Sequence, residues 1–384
     1  MTIKVVADEA IPFVSAYFSQ IADVELLPGH AIGQASLRDA DVLVCRTVTK
    51  VNEALLQDTN VRVVASPTSG IDHIDSSYLD SKEIQLCNAP GCNANSVAEY
   101  VLSSLFVLSQ QEEISLADKC VGIIGCGHVG SRLRELLGAL GISYRLCDPF
   151  LESNDVDKYE DLDAMVECDI ISVHVPLTDD GPHPTRNLLG ESFFSELDRD
   201  IILINTSRGG VVEESALKTF MAGHEASLLV VDVWENEPEV DIQLLQVANI
   251  ATPHIAGYSL DGKFAATSKV FNDTSRHLRI EAAAQPSGDL MEQRRLLRLK
   301  HADGDNVLDT LSLGVLGSYD VRTDAAALRR MLEDSVANRG NYFMDLRNNY
   351  PPRREFSSAD IELENHSHEL VEKLLRLGFR VSEH

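Results

Sequence analysis

The sequence predicts an α/β protein whose largest part is a doubly wound parallel sheet. Two observations support this prediction. Residues 121–148 read as a strand, a glycine turn, a helix and a second strand. On both sides of this stretch, short apolar runs alternate with helix-like or turn-rich segments, an order typical of βα units that build a parallel sheet.

The central stretch has the features of a dinucleotide-binding turn. Gly125, Gly127 and Gly130 show the G-x-G-x-x-G spacing, in which small residues let backbone N–H groups and a helix N-terminus approach a pyrophosphate. Asp148 follows the last glycine by about 20 residues, where an acid binds the adenosine ribose hydroxyls. Because residues 149–152 include no Arg or Lys to neutralise a 2′-phosphate, the sequence favours NAD over NADP.

Apolar runs predict further strands at residues 3–7, 41–45, 61–65, 169–175, 201–204 and 228–231. Helices are predicted over residues 93–108 and 260–281, and residues 285–288 indicate a linker. Beyond the linker, Leu308, Leu311 and residues 313–315 predict short strands, and residues 325–332 and 370–377 predict helices. We therefore expect three domains: residues 1–95 with 258–284, residues 96–257, and a small α+β domain over residues 285–384.

Length, charge and cysteine content narrow the function classes. A chain of 384 residues exceeds one typical domain. The net charge of −27 disfavours binding to nucleic acid, and no apolar run is long enough to span a bilayer. Seven scattered cysteines without a C-x-x-C pair argue against a disulfide framework or a zinc site. We expect a cytoplasmic protein without a metal, in which an anionic substrate requires a local cationic pocket.

Three residues in predicted strand-end loops form a set suited to alcohol oxidation. His254 is the candidate acid/base, because the unperturbed pKa of imidazole lies near 6.5. Glu237 could orient the imidazole, and Arg208 could clamp a substrate carboxylate with its planar guanidinium. Each residue taken singly would also suit a surface or structural role.

The order of the motifs GCGHVG, NTSRGG, DVWENEP and TPHIAGY resembles the D-isomer-specific 2-hydroxyacid dehydrogenases over roughly residues 1–284. A closer resemblance, through RTVTKVNE, NAPGCNANSVAEYV, HIAGYSLDGK and YDVRTD, covers nearly the whole chain and indicates a branch of that family that acts on a phosphorylated sugar acid. It implies NAD-dependent oxidation of 4-phospho-D-erythronate to its 2-oxo acid in pyridoxal 5′-phosphate (vitamin B6) synthesis. It also implies a flavodoxin-like substrate domain and a homodimer formed through the C-terminal domain.

The same resemblance assigns roles to individual residues. The catalytic residues it implies are Arg208, Glu237 and His254, and the substrate contacts are Thr47, Thr68 and Tyr258. The expected NAD contacts are Gly125, Gly127, His128, Val129, Gly130, Asp148, Val175, Thr206, Ser207, Arg208, Asp232 and Gly257. The chain departs from the family pattern at Val175, Asn187 and Glu213, where Thr, His and Asp are expected.

Several interpretations stay open at this point. Arg46, Thr47 and Lys50 are our candidates for binding the substrate phosphate, with a solvated turn as the alternative, above all for Lys50. The substrate could instead be another 2-hydroxy acid such as 3-phosphoglycerate, because the catalytic set acts only beside the carboxylate. A non-catalytic NAD-sensing scaffold is a third interpretation. Arg347, Tyr350, Arg353 and Arg354 could reach a neighbouring active site, but the sequence does not place them.

Overall fold

The structure, a computed structural model, describes residues 3–281, 291, 293–302 and 304–383. It divides into two compact units, Met1–Asn93 with Ser259–Gln293 and Ala94–Tyr258 with Arg294–His384. The predicted linker at residues 285–288 lies outside the described residues. None of the described helices combines the length and the apolar character that a membrane span requires.

The strands are β1 Lys4–Asp8, β2 Asp23–Leu27, β3 Val42–Val44, β4 Val63–Ser66, β5 Gln85–Asn88, β6 Cys120–Ile124, β7 Ser143–Cys147, β8 Ile170–Val173, β9 Ile202–Asn205, β10 Leu228–Val231, β11 Ile250–Ala251, β12 Arg295–Lys300, β13 Ala359–Glu364 and β14 Arg380–Glu383. The α-helices are α1 Val14–Phe18, α2 Gln34–Leu37, α3 Glu53–Leu56, α4 Ser76–Ser81, α5 Ala94–Gln111, α6 His128–Leu140, α7 Glu191–Ser195, α8 Glu214–Gly223, α9 Ile242–Val247, α10 Leu260–Leu278, α11 Val307–Ser318, α12 Arg322–Arg329, α13 Arg339–Asn348 and α14 His368–Leu377.

The first unit is a parallel five-stranded sheet in the order β2-β1-β3-β4-β5, the flavodoxin-like order that the family resemblance implied. Its central strands are buried on both faces, as parallel sheets covered by helices require. Sequence reasoning missed β2 and β5. Both are edge strands with largely exposed or half-exposed residues, so they lack the continuous apolar run that marked the central strands.

The second unit contains a six-stranded parallel sheet in the order β11-β10-β9-β8-β6-β7. A single parallel bridge between Leu146 and Tyr159 continues the sheet beyond β7, which gives the doubly wound order of dinucleotide-binding folds. The strand order reverses between β6 and β8, and ligands bind at such a switch point, beyond the carboxyl ends of the strands. The predicted doubly wound parallel sheet is therefore confirmed.

The C-terminal residues form a small parallel sheet in the order β12-β13-β14, packed with α11 and α14. The prediction of strands around Leu308–Val315 was wrong, because these residues lie in α11. Leu311 and Val315 are both fully buried, and this four-residue spacing places them on one helical face. They join α5 and α6 in one hydrophobic core, so the C-terminal segment and the nucleotide-binding sheet share a core within the second unit.

Candidate active site

The glycine turn between β6 and α6 has a backbone that larger residues would disrupt. Gly125 has φ +91°, and an added Cβ would lie 2.8 Å from Val175. A Cβ on Gly130 would lie 2.0 Å from the carbonyl oxygen of Gly125. Gly125 is therefore required by its positive φ and by the close approach of the chain after β8, and Gly130 is required by the close packing of α6 against the turn.

The middle of the turn is open and suits an anion. A Cβ on Gly127 would meet no heavy atom within 4 Å, and α6 begins at His128 without a side-chain cap. The backbone N–H groups of its first turn are thus available to a pyrophosphate. Asp148 accepts the N–H of Cys126 in this turn at 2.9 Å, which places the predicted ribose acid beside the cradle. These residues fit NAD.

The loop after β9 carries several predicted contacts. Asn205 accepts hydrogen bonds from the N–H of Ser207 at 3.1 Å and from its hydroxyl at 2.7 Å, which fixes the turn before Arg208. Thr206 lies 3.3 Å from Nδ1 of His174, at the end of the neighbouring strand β8. Arg208, half-buried, donates to the carbonyl of Ser207 at 2.8 Å.

The Arg208 loop packs directly on the loop after β10. A Cβ on Gly209 would lie 1.8 Å from the carbonyl oxygen of Trp234, so only glycine fits there. Glu214 and Glu235 each accept the backbone N–H of the other at 2.9 Å. This double contact holds the segment that leads to Glu237 against the segment that follows Arg208.

Glu237 and His254 are in direct contact. Nδ1 of His254 lies 2.8 Å from Oε2 and 3.0 Å from Oε1 of Glu237. Glu237 also accepts the N–H of Trp234 at 3.1 Å. The contact fixes Nδ1–H as the protonated position, so that Nε2 is the nitrogen able to exchange a proton with a substrate.

The backbone of His254 is held in an unusual conformation. Its φ is +57°, a region that non-glycine residues seldom adopt. The buried carboxylate of Asp232 accepts the next two N–H groups, of Ile255 at 2.8 Å and Ala256 at 2.9 Å. It also accepts the hydroxyl of Thr252 at 2.6 Å. Asp232, predicted as an NAD contact, thus also fixes the loop that presents His254.

The charge of Glu237 is stabilised by its neighbours. Burial alone would raise the pKa of Glu237, but the hydrogen bond and charge of His254 and the charge of Arg347 together hold it below its ordinary value. A carboxylate that stays ionised can stabilise an imidazolium formed during turnover.

An arginine of the C-terminal segment lies beside Glu237. Nη1 of Arg347, on α13, lies 3.7 Å from Oε2 of Glu237, and its Nη2 donates to the hydroxyl of Tyr258 at 3.1 Å. Arg353 is buried and donates to the carbonyls of Ala256 at 2.9 Å and Ser96 at 2.5 Å. Both arginines, unplaced by the sequence, lie beside the His254 loop in the same unit.

The loop that we predicted to bind the substrate phosphate lies in the first unit. Arg46 is paired with the fully buried Asp8, with Nε 2.7 Å from Oδ2, and Thr47 beside it is exposed. Thr68 donates to the carbonyl of Gly70 at 2.8 Å. Lys263 belongs to the same unit, and burial followed by the charge of Arg46 lowers its pKa.

Sequence reasoning missed Asp8 and Lys263 and left Arg347 and Arg353 unplaced. The contact of Asp8 with Arg46 joins the ends of two strands, which no local pattern reveals. Lys263 is the last residue of the motif HIAGYSLDGK, and a cation in a motif that carries the family resemblance was the signal that could have identified it. Arg347 was noticed as one of several C-terminal arginines, but its partner Glu237 is far away in the sequence.

Comparison with known proteins gives the family. The model of the D-isomer specific 2-hydroxyacid dehydrogenase NAD binding domain matches residues 97–256. A domain of unknown function, DUF3410, matches residues 290–378. The erythronate-4-phosphate dehydrogenase of Hahella chejuensis is 42% identical over 379 residues, 99% of each chain. That of Azotobacter vinelandii is 42% identical over 383 residues, 98% of this chain and 99% of that one.

This chain belongs to the erythronate-4-phosphate dehydrogenase family. Its fold is also that of NAD-bound 3-phosphoglycerate dehydrogenase from Entamoeba histolytica, with a TM-score of 0.63 and 22% identity over 73% of this chain and 96% of that one. The structure of D-lactate dehydrogenase from Aquifex aeolicus, with NAD and lactic acid, has a TM-score of 0.60 and 23% identity and covers 72% of this chain and 95% of that one. Members of this family are NAD-dependent dehydrogenases, and NAD is the cofactor of this chain.

Proposed function

We propose that the protein oxidises 4-phospho-D-erythronate to (R)-3-hydroxy-2-oxo-4-phosphooxybutanoate with NAD, as a step of pyridoxal 5′-phosphate synthesis. The observation that carries this proposal is the 2.8 Å contact of His254 with Glu237 in a chain that matches the erythronate-4-phosphate dehydrogenases over almost its whole length. The pair supplies the acid/base group that oxidation of a 2-hydroxy acid requires.

The chain's own residues then have defined tasks. Arg208 binds the substrate carboxylate and orients carbon 2, because its guanidinium matches a carboxylate with two parallel donors. Nε2 of His254 accepts the hydroxyl proton as the carbon–oxygen double bond forms, and Glu237 stabilises the resulting imidazolium. Bound at the glycine turn, NAD would supply the acceptor for the hydride lost from carbon 2. Thr47, Thr68 and Tyr258 contact the substrate.

The cofactor contacts and the domain roles are part of the same proposal. Residues 1–95 with 258–284 bind the substrate, residues 96–257 bind NAD and residues 285–384 form the dimer. The proposed NAD contacts are Gly125, Gly127, His128, Val129, Gly130, Asp148, Val175, Thr206, Ser207, Arg208, Asp232 and Gly257. The open space above Gly127 and the position of Asp148 support the cofactor assignment.

The substrate phosphate requires positive charge in a chain of net charge −27. Arg46 and Lys263 supply it in the first unit, where the buried carboxylate of Asp8 holds Arg46 in a fixed orientation. The exposed hydroxyl of Thr47 adds a donor beside Arg46. This pairing of cations supports selection for a phosphorylated acid.

The test measures NADH absorbance after NAD is added with 4-phospho-D-erythronate, erythronate or 3-phosphoglycerate. We expect the highest kcat/KM with the phosphorylated erythronate. Faster oxidation of 3-phosphoglycerate would make the protein a sister dehydrogenase. NAD binding without oxidation of any of the three acids would favour a sensing scaffold over an enzyme.

We also propose a cytoplasmic homodimer formed through the C-terminal segment. Seven scattered cysteines without a C-x-x-C pair support a reducing compartment. Leu296 on β12, Leu313 on α11 and Leu375 on α14 are 49%, 54% and 53% exposed, apolar surface that a second copy could cover. Light scattering should give a dimer that Leu313→Glu weakens, whereas Val156→Glu, at an exposed site elsewhere, should leave it intact. A monomeric wild type would disprove the dimer.

A further inference from the structure

The C-terminal segment places an arginine beside the candidate catalytic pair. Arg347 lies on α13 with Nη1 3.7 Å from Oε2 of Glu237, and that same oxygen lies 2.8 Å from Nδ1 of His254. Its side chain is only 18% exposed, and that of Glu237 is 20% exposed. Because both groups are largely shielded from water, their attraction is stronger than that of a surface ion pair.

Packing holds Arg347 in this position. The start of α13 lies against the segment that follows Glu237, since a Cβ on Gly340 would lie 2.7 Å from Oε1 of Glu239 and 3.5 Å from Cγ of Pro238. The guanidinium carbon lies 6.0 Å from the ring centre of Phe343, one turn earlier on the same helix. The helix and the Glu237 loop therefore form one packed unit.

The guanidinium connects two loops of the site. Its Nη2 donates to the hydroxyl of Tyr258 at 3.1 Å, and its carbon lies 5.8 Å from the centre of that ring. His254 and Arg347 are among the charged groups that act on Glu237, and Tyr258, Glu237 and Asp232 are among those that act on Arg347. Besides His254, Arg347 is thus a cation whose charge bears on the Glu237 carboxylate.

We propose that Arg347 is a positioning residue for the Glu237–His254 pair, so that the C-terminal segment completes the reaction site of its own chain. Arg347 acts through Glu237: it keeps the carboxylate ionised and directed at Nδ1 of His254, and it fixes the Tyr258 hydroxyl. This inference rests on the proposed function. It assigns the segment a role in turnover that is separate from any role in dimerisation.

Substitutions at one position separate charge from packing. Arg347→Met removes the charge while keeping an apolar stem, Arg347→Gln keeps donors without charge, and Arg347→Lys keeps the charge without the planar fork. Arg330→Met, at an exposed arginine of the same segment, is the matched control. Thermal unfolding of each variant identifies any that fails to fold.

The first measurement is the pH profile of kcat with NAD and 4-phospho-D-erythronate. Arg347→Met and Arg347→Gln should lower kcat by roughly tenfold or more. As the pH is lowered, kcat should begin to fall at a higher pH in these two variants than in the wild type. In Arg347→Lys, kcat should begin to fall at the same acidic pH as in the wild type, because lysine keeps the positive charge that lowers the pKa of Glu237. Arg330→Met should behave as the wild type.

The second measurement needs no turnover. Infrared difference spectra recorded against pH report protonation of Glu237, whose band is identified by its absence in Glu237→Gln. In Arg347→Met this carboxylate should become protonated at higher pH than in the wild type, because the pKa of Glu237 loses a cation that lowers it. If the wild type fails to oxidise the acid, the proposed function fails while this spectrum still tests Arg347.

Two results would overturn the inference. One is a folded Arg347→Met with wild-type kcat and an unshifted Glu237 band. The other is a loss of kcat that is equal in the Met, Gln and Lys variants with the band unshifted in all three, which would show that Arg347 only packs. If Arg347→Met does not fold, the Gln and Lys pair carries the same comparison.

Discussion

Nδ1 of His254 lies 2.8 Å from Oε2 of Glu237, although the two residues belong to loops that follow different strands. Glu237 follows β10 and His254 follows β11, and these strands are parallel neighbours in the sheet. Because the carboxyl ends of parallel strands meet at one edge, two residues far apart in the sequence become a pair. The pair is the basis of the first prediction.

His254→Ala should lower kcat by roughly 100-fold or more, the scale of a lost general acid/base, while the Kd for NAD changes little. Glu237→Gln should cause a smaller loss, since the imidazole remains but its partner carries no charge. Steady-state kinetics and calorimetric titration with NAD measure both quantities. Near-normal kcat in His254→Ala would remove this residue from the mechanism.

Arg208→Lys should lower kcat/KM by roughly tenfold or more, because lysine lacks the bidentate fork for a carboxylate. The matched control is Arg322→Lys, at an exposed arginine paired with Asp320 on the surface of the same unit. The kinetics are measured at saturating NAD. Equal kcat/KM in Arg208→Lys and wild type would show that Arg208 does not bind the carboxylate.

Two glycines of one turn should respond in opposite ways. Gly130→Ala should lower the free energy of unfolding by roughly 1–3 kcal/mol, because its methyl would lie 2.0 Å from the Gly125 carbonyl. Gly127→Ala should unfold as the wild type does but raise the Kd for NAD by roughly tenfold, since its methyl enters the open space at the helix N-terminus. Denaturation and NAD titration of both variants test this contrast. A strong loss of stability in Gly127→Ala would contradict it.

Acid should destabilise the protein through His174. Burial lowers the pKa of His174 to about 3. The folded state therefore favours the neutral ring, and the stability this gives is present above the unfolded value near 6.5 and is lost as the pH falls toward 3. Between pH 7 and pH 5 we expect a loss of roughly 1–2 kcal/mol that is absent in His174→Gln. Urea denaturation at the two pH values measures it, and an identical pH dependence in the variant would contradict this assignment.

The sequence was sufficient where structure is local or periodic. The glycine spacing, the apolar run of β6 and Asp148, the acid predicted to bind the ribose, lie within one continuous stretch, so the glycine turn could be predicted. The strand-end loops that carry candidate site residues could also be predicted, because parallel strands bring their carboxyl ends together. The sequence failed at the edge strands β2 and β5, which lack a continuous apolar run, and at α11, where closely spaced leucines fit both periods.

Contacts made by the C-terminal segment could not be predicted from the sequence. Whether Arg347 meets Glu237 depends on how α13 packs beside the loop after β10, a matter of tertiary packing. Arg353 is a similar case: it is buried, and its guanidinium lies 3.6 Å from the ring centre of Tyr319. A surface role for these arginines agreed equally well with the sequence, and only the packed structure distinguishes the two.

Arg46 should select the phosphorylated substrate. Arg46→Ala should lower kcat/KM for 4-phospho-D-erythronate far more than for erythronate, because only the former has the phosphate that we propose the guanidinium binds. The substitution also leaves the fully buried Asp8 without its cation, which destabilises the fold. The ratio of the two kcat/KM values is therefore the quantity to measure, since the concentration of folded enzyme cancels from it. Arg62→Ala, which breaks an exposed pair with Asp41 in the same unit, should leave the ratio unchanged. An unchanged ratio in Arg46→Ala would show that this loop serves folding and that the phosphate is bound elsewhere.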